Sequence, residues 1–316
     1  MDILSVIFNP GILFFILGLS ATAFKSNLEI PEQIVKFITL YLMLSIGFLG
    51  GINLYNSVFD LNAFLIIFFV LFFSFVIPQY TFRLFKRIDT PENAAAIGAT
   101  YGSNSTLTYI TAAGFLTAID VTYGGYMTLA LVIMETPAII YSLYLANQTA
   151  GLNKTVLLKR VLTDGTLVLL IGSLAIGYIL SLLHGEATPL TAFISGDMFT
   201  GMLIFFLLYM GTKVGSNLPQ VFSLKPVYWA YAVLAPWFHG AIAILCSYIF
   251  GFAVGDAFLF TILIASSSYI VAPAIITYAM PKAETYKYLS MSIGITFPMN
   301  IAIGIPVYWY ILNMVL

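Results

Sequence analysis

Two short polar runs carry the chemistry this chain can do: Gly102-Ser103-Asn104-Ser105-Thr106 and Ser266-Ser267-Ser268. Their hydroxyl and amide oxygens are hard ligands of the kind that holds an alkali cation in an unwound membrane helix. Gly, Ser and Asn in sequence also interrupt a helix and cap one that restarts. A helix restarting inside an apolar layer offers free amides and about half a positive charge at its first turn, which suits an anion. Thr296 and Asn300 add oxygens of the same kind, and of the 13 acidic residues only Glu135 lies well inside an apolar run. It stands in Met134-Glu135-Thr136-Pro137, and the counterpart is Ile295-Thr296-Phe297-Pro298. Each proline withholds a donor from a carbonyl one turn earlier. These residues sort into two sets. Gly102, Ser103, Asn104, Ser105, Thr106, Ser267, Ser268 and Tyr269 are assigned to an anion. Ser103, Asn104, Glu135, Ser266, Ser268, Thr296 and Asn300 are assigned to a coupling cation, with Glu135 as its carboxylate or as a proton carrier.

Other chemistries find no residues. The single cysteine, Cys246, lies in an apolar run and forms neither an intrachain disulfide nor a cysteine metal cluster. No phosphate-binding Gly-rich loop, hydrolase elbow or pair of acid–base groups appears, so neither ATP-driven transport by this chain alone nor catalysis is indicated. No cofactor beyond a coupling ion is expected. The 12 basic residues are too few and too local for a nucleic-acid footprint.

The elements that must position these residues are membrane helices. With 61% hydrophobic and 8% charged residues, the 316-residue chain has too little polar surface to coat a soluble globule. Crossing a bilayer as a helix takes roughly 20 apolar residues. Ten segments qualify or nearly so, near 10–24, 34–55, 61–82, 93–116, 122–146, 165–184, 197–214, 226–250, 256–279 and 287–314, the first and seventh being short. The start, up to Phe24, has no basic residue before its apolar run and is read as a span rather than a cleavable leader. All 12 basic residues, from Lys25 through Lys154, Lys159 and Arg160 to Lys287, then fall on odd-numbered loops or adjoining helix ends, whereas Asp60, Asp120, Glu186, Asp197 and Asp256 mark the even side. The positive-inside rule places the odd loops in the cytoplasm and both termini outside, in a cell (inner) membrane.

The chain also repeats itself. Gly47-x3-Gly51-x-Asn53-Leu54 returns 164 residues later as Gly211-x3-Gly215-x-Asn217-Leu218, and the two polar runs share the same offset. An odd number of spans per half inverts the second half. The expected architecture is an all-α integral membrane protein of two inverted five-helix repeats, 1–146 and 165–316, joined by a cytoplasmic linker over 147–164. Duplicated, interrupted helices of this kind point to the substrate site of a secondary transporter.

Plainer readings stand beside these. Gly-x3-Gly in a membrane helix is in the first place a close-packing face. Serines in a span can bond back to their own helix, and a buried Glu135 can be protonated and structural. His239 is read as a satisfied interior histidine and His184 as a solvated one. Trp229, Trp237 and Trp309 are read as interface anchors.

At these motifs the chain resembles the sodium-dependent bicarbonate transporter family known from cyanobacteria. The resemblance runs over nearly the whole length, through Leu28-Glu-Ile-Pro31-Glu32, Gly47 to Gly51, Met134-Glu-Thr-Pro137, Ala235-Pro-Trp-Phe-His239-Gly240, Ala265-Ser-Ser-Ser268, and Ile293-Gly-Ile-Thr-Phe-Pro298 leading to Gly304-Ile-Pro306. It implies a homotrimer whose protomers have core and gate domains moving as an elevator. It also implies bicarbonate held near the two half-helix ends with sodium close by, and a cytoplasmic regulator of the PII type. The chain departs from the family pattern Ser-Ser-Ser-Asp-x-Ser-Gly-Pro-Pro at Tyr269, Val271, Ala272 and Ala274, so that Tyr269 stands where the family has Asp, and Glu135 likewise replaces an Asp. The insert before the second half is short. Sodium-coupled import of bicarbonate is therefore the expected function. A sodium- or proton-coupled carrier of another small monovalent anion, and a non-transporting membrane sensor that kept the fold, are the alternatives.

Overall fold

Long apolar runs punctuated by Pro, Gly and Asp fold as helices because each backbone amide must find its partner within its own segment when no water is at hand. The computed structural model describes residues 10–146, 165–184 and 196–316, with 159, 163 and 194 as isolated positions. The expected linker, with Lys154 and Arg160, lies almost wholly outside these residues, as do Glu186 and the side chain of His184. The described residues form α1 (Pro10–Ala23), α2 (Glu32–Asn56), α3 (Leu61–Phe85), α4 (Pro91–Gly102), α5 (Thr106–Ala118), α6 (Tyr126–Leu145), α7 (Gly165–His184), α8 (Gly196–Phe222), α9 (Pro226–Phe250), α10 (Val254–Ala265) and α11 (Val271–Ala279). A last helical run, α12 (Thr285–Val315), completes them. Among the described residues there is no strand.

Six of these, α2, α3, α6, α8, α9 and α12, are long and apolar enough to cross a membrane unaided. Start signals are local. Asp60 accepts the Ala63 amide at the head of α3, and Thr90 accepts the Asn93 amide ahead of Pro91 at the head of α4. α8 corrects the short seventh segment: it continues to Phe222, 27 residues in all. Ser216 and Asn217 fall beyond the expected end of that segment at 214. Lys213 and Ser216 lie on the exposed face of α8, so the helix carries them without burying them.

The Gly-x3-Gly motifs form two packing seams. On α2, a side chain at Gly47 would lie 2.0 Å from Ser173 Oγ and one at Gly51 2.0 Å from the Leu174 carbonyl, both on α7. On α8, one at Gly211 would lie 2.1 Å from the Phe15 carbonyl of α1, and Gly215 faces Thr22. Only a missing Cβ lets backbones approach this closely, so the close-packing reading of these motifs holds. α1, α2, α7 and α8 pack together through these seams, while α3 packs on α4 and α6, and α9 on α10.

Trp309 is not an interface anchor. It is buried edge-on between Phe115 and Phe258. Trp229 donates from Nε1 to the Val221 carbonyl across the α8–α9 turn. His239 is buried on α9 with Nε2 bonded to the Tyr80 hydroxyl, while its Nδ1 is buried without a hydrogen-bond partner, so the interior histidine is satisfied at one ring nitrogen only.

Candidate functional site: two interrupted helices meeting at a small cavity

Both polar runs break their helices. α4 ends at Gly102, and α5 restarts at Thr106 with Ser105 as its cap, Ser105 Oγ accepting the Thr108 amide at 3.2 Å. α10 ends at Ala265, and α11 restarts at Val271, where Ser268 Oγ accepts the Ala272 amide at 3.2 Å and Pro273 occupies the first turn.

The breaks touch. The Ser268 amide donates to the Thr100 carbonyl at 2.8 Å, and the Ser105 amide donates to Ser266 Oγ at 2.9 Å. Between the two restarted ends lies a cavity of about 10 Å³, room for roughly one water molecule. Asn104, Ser105 and Thr106 line it from one side, Ser268, Tyr269 and Val271 from the other, and Glu135 from α6. The first amides of α5 and α11 have no intrahelical acceptor, so two partial positive charges converge there. Glu135, 3% exposed, is the acid beside them.

The remaining assigned residues do not line this cavity. Gly102 turns toward Pro78 of α3, 2.2 Å from where its Cβ would sit, and serves packing. Ser267 Oγ pairs with Ser292 Oγ at 2.8 Å and so faces α12. Ser266 joins the crossing itself. Thr296 Oγ1 donates to the Ala232 carbonyl at 2.8 Å and meets the Tyr101 hydroxyl at 2.7 Å. Asn300 Nδ2 donates to the Ala265 carbonyl at 2.9 Å, as Asn104 Nδ2 does to the Leu131 carbonyl at 2.7 Å.

These amide bonds fix which atoms remain. With its nitrogen committed, each asparagine leaves Oδ1 buried and without a hydrogen bond, and Ser103 Oγ is likewise buried and unpartnered. Desolvated oxygens without a partner are costly, so these three are atoms at the crossing open to a ligand that takes lone pairs. Pro137, inside α6, adds a carbonyl at Ile133 that lacks its helical donor. Among the described residues no group of three or more His, Cys, Asp or Glu could hold a metal ion.

Sequence reasoning missed the form of α12. It contains two π-helical turns, Ser292–Thr296 and Asn300–Gly304, closed by the Phe297 amide on the Ser292 carbonyl and the Ile305 amide on the Asn300 carbonyl. Each closing residue precedes a proline, Pro298 or Pro306. The wide turn relieves the clash between the proline ring and the carbonyl four residues back. The prolines themselves were the available signal.

Described residues that are all-helical, with six membrane-length helices and two interrupted ones meeting at a buried polar point, are those of a multi-pass membrane protein with the build of a transporter. Its sequence matches the profile of the Na+-dependent bicarbonate transporter superfamily over residues 10–313. The chain belongs to that superfamily, a family of transporters and not of enzymes. A comparison with curated proteins finds no match.

Proposed function

We propose that this protein imports bicarbonate in symport with sodium. The carrying observation is the convergence of the α5 and α11 ends on one cavity beside Glu135, lined by Asn104, with further unpartnered oxygens on Ser103 and Asn300 at the same two interrupted helices. Two helix ends supply about one positive charge together, matched to one monovalent anion. A charge near the bilayer centre costs at least about 2.5 kcal/mol on insertion scales, so the anion needs a co-bound cation. The superfamily's name supports that pairing.

In this reading the chain crosses the membrane ten times as two inverted sets of five, with α4–α5 and α10–α11 as equivalent crossings. The matched seams, α2 on α7 and α8 on α1, support the repeat. Those four helices act as a gate, and the remaining helices move against it as an elevator carrying the site. Homotrimeric assembly belongs to the same proposal, with cross-linking in native membranes as its check.

Uptake of radiolabelled bicarbonate into proteoliposomes tests the core claim. An inward sodium gradient should drive accumulation, an equal potassium gradient should not, and Glu135→Ala should abolish it. Equal uptake with potassium overturns sodium coupling. Tyr269 favours a second reading: its ring lines the cavity and meets Phe297 edge-on at 5.0 Å, a shape suited to a different small anion such as a short carboxylate. Competition by formate or acetate stronger than by bicarbonate selects it. Binding without flux selects a sensor instead.

A further inference from the structure

A second, larger cavity of about 730 Å³ opens where α1 ends and α2 begins, against the face of α8. Lys25 and Lys213 line it together with Glu29 and Glu32. Among the described residues none of these four forms an ion pair, so two cations and two anions face one cavity while remaining apart. Opposite charges held around a shared space complement a ligand that carries both signs. The 25-residue α2 opens at this cavity with Pro31 at its cap and no capping side chain, so its first amides favour a phosphate beside the lysines. Tyr209 and Ser216 add hydroxyls.

The surroundings point to a lipid. Phe24 beside Lys25 is 84% exposed, and Ile34 and Phe37 on the first turns of α2 are 50% and 58% exposed, a surface suited to acyl chains. Lys213 is the eighteenth residue of α8, about 26 Å along that helix and so near the edge of a hydrocarbon layer roughly 30 Å thick. A lysine at that depth extends its ammonium to the headgroup level.

We infer that this cavity binds the headgroup of a zwitterionic aminophospholipid, its phosphate against Lys25, Lys213 and the start of α2 and its primary ammonium against Glu29 and Glu32. The carboxylates distinguish phosphatidylethanolamine from phosphatidylcholine, because only a primary ammonium donates hydrogen bonds to them. The site is separate from the crossing of the interrupted helices, and its test does not depend on transport.

Native mass spectrometry of the purified full chain with equal phosphatidylethanolamine and phosphatidylcholine reads retention directly. Charge-assisted hydrogen bonds predict roughly tenfold preferential retention of phosphatidylethanolamine. Lys25→Gln with Lys213→Gln should lose both lipids, and the paired Arg variants should keep them. Glu29→Gln with Glu32→Gln should keep binding but lose the preference. Equal retention of the two lipids by the wild type, or undiminished retention by the Gln pair at the lysines, overturns the site. Full displacement by soluble glycerophosphoethanolamine at matched concentration overturns the lipid as its occupant.

Discussion

At the first break the chain leaves the helix for three residues and largely caps itself; at the second it leaves for five, and the bonds arrive from elsewhere. Ser105 accepts both the amide and the hydroxyl of Thr108, the latter at 2.9 Å, so the start of α5 is fixed by its own first turn. The start of α11 has only the 3.2 Å bond from Ala272 to Ser268. Around it α12 does the holding: Ser292 pairs with Ser267 and lies 3.0 Å from the Ser268 carbonyl, Asn300 ties Ala265, and Phe297 backs Tyr269. α11 is also short, 9 residues against 13 for α5. The restart of α5 is thus capped within its own first turn, whereas that of α11 is held by tertiary bonds, which couples the α11 end of the cavity to the π turns of α12.

The largest separation of the two breaks should come from Asn300→Ala. It strips the Ala265 carbonyl of its partner in a buried site, a loss of about 1–3 kcal/mol. Thermal unfolding in detergent should fall accordingly, and a cysteine placed at Ile270 should become more reactive while one at Leu107 does not. Equal gains at both positions would mean that the breaks share one support. Ser292→Ala should act the same way and more weakly, about 1 kcal/mol, since its partner Ser267 can turn to a neighbouring carbonyl.

The caps give the reverse test. Ser105→Ala removes an N-cap in the interior and should cost about 1 kcal/mol, with the cysteine at Leu107 now the reactive one. Ser268→Ala removes one 3.2 Å bond, where Ser105 holds both the amide and the hydroxyl of Thr108, and should cost less than half of that in the same unfolding measurement. If the two serines cost the same, the self-capping contrast fails.

How much of this was legible in sequence follows the same division. Local chemistry was readable: Gly102 to Ser105 announce a stop and a cap, and the α5 start falls where those residue types place it. The second break was readable only in its serines. Nothing in Tyr269-Ile270 predicts a break in the helix, because the bent path there is held by contacts from Ser292, Phe297 and Asn300, distant in sequence. Ser267 was assigned to the anion from its neighbours, yet in an extended segment alternate side chains face opposite ways, and it points to α12. The repeated glycines were visible as a motif, but their partners Leu170, Leu174 and Phe15 carry no signal, since what matters there is a backbone carbonyl. Trp309 misled for a related reason: a tryptophan near a helix end is an interface anchor only if no neighbouring helix covers it, and Phe115 and Phe258 do.

The outer ends of the same two helices extend the contrast. Ahead of α4, Asp89 takes hydrogen bonds from Asn93 at 2.8 Å, Lys287 at 2.9 Å and the Tyr228 hydroxyl, which ties that end to α9 and α12 through an ion pair. At the head of α10, Asp256 accepts only neutral donors, the Gly124 amide at 2.7 Å and the Tyr126 hydroxyl at 2.5 Å. Burial alone pushes the Asp89 carboxyl up, but its hydrogen bonds from Asn93, Tyr228, Lys287 and the Thr90 amide outweigh that and hold it at about 2, against an ordinary 3.8. A carboxyl depressed on folding stabilises the folded state above its unfolded value and loses that contribution as pH falls toward its folded one. The stability difference between wild type and Asp89→Asn should therefore stay flat from pH 7 to about 5 and shrink between about pH 4 and 2. Melting of both proteins in detergent across that range measures it, and a difference already shrinking between pH 7 and 5 would assign the tie to some other titrating group.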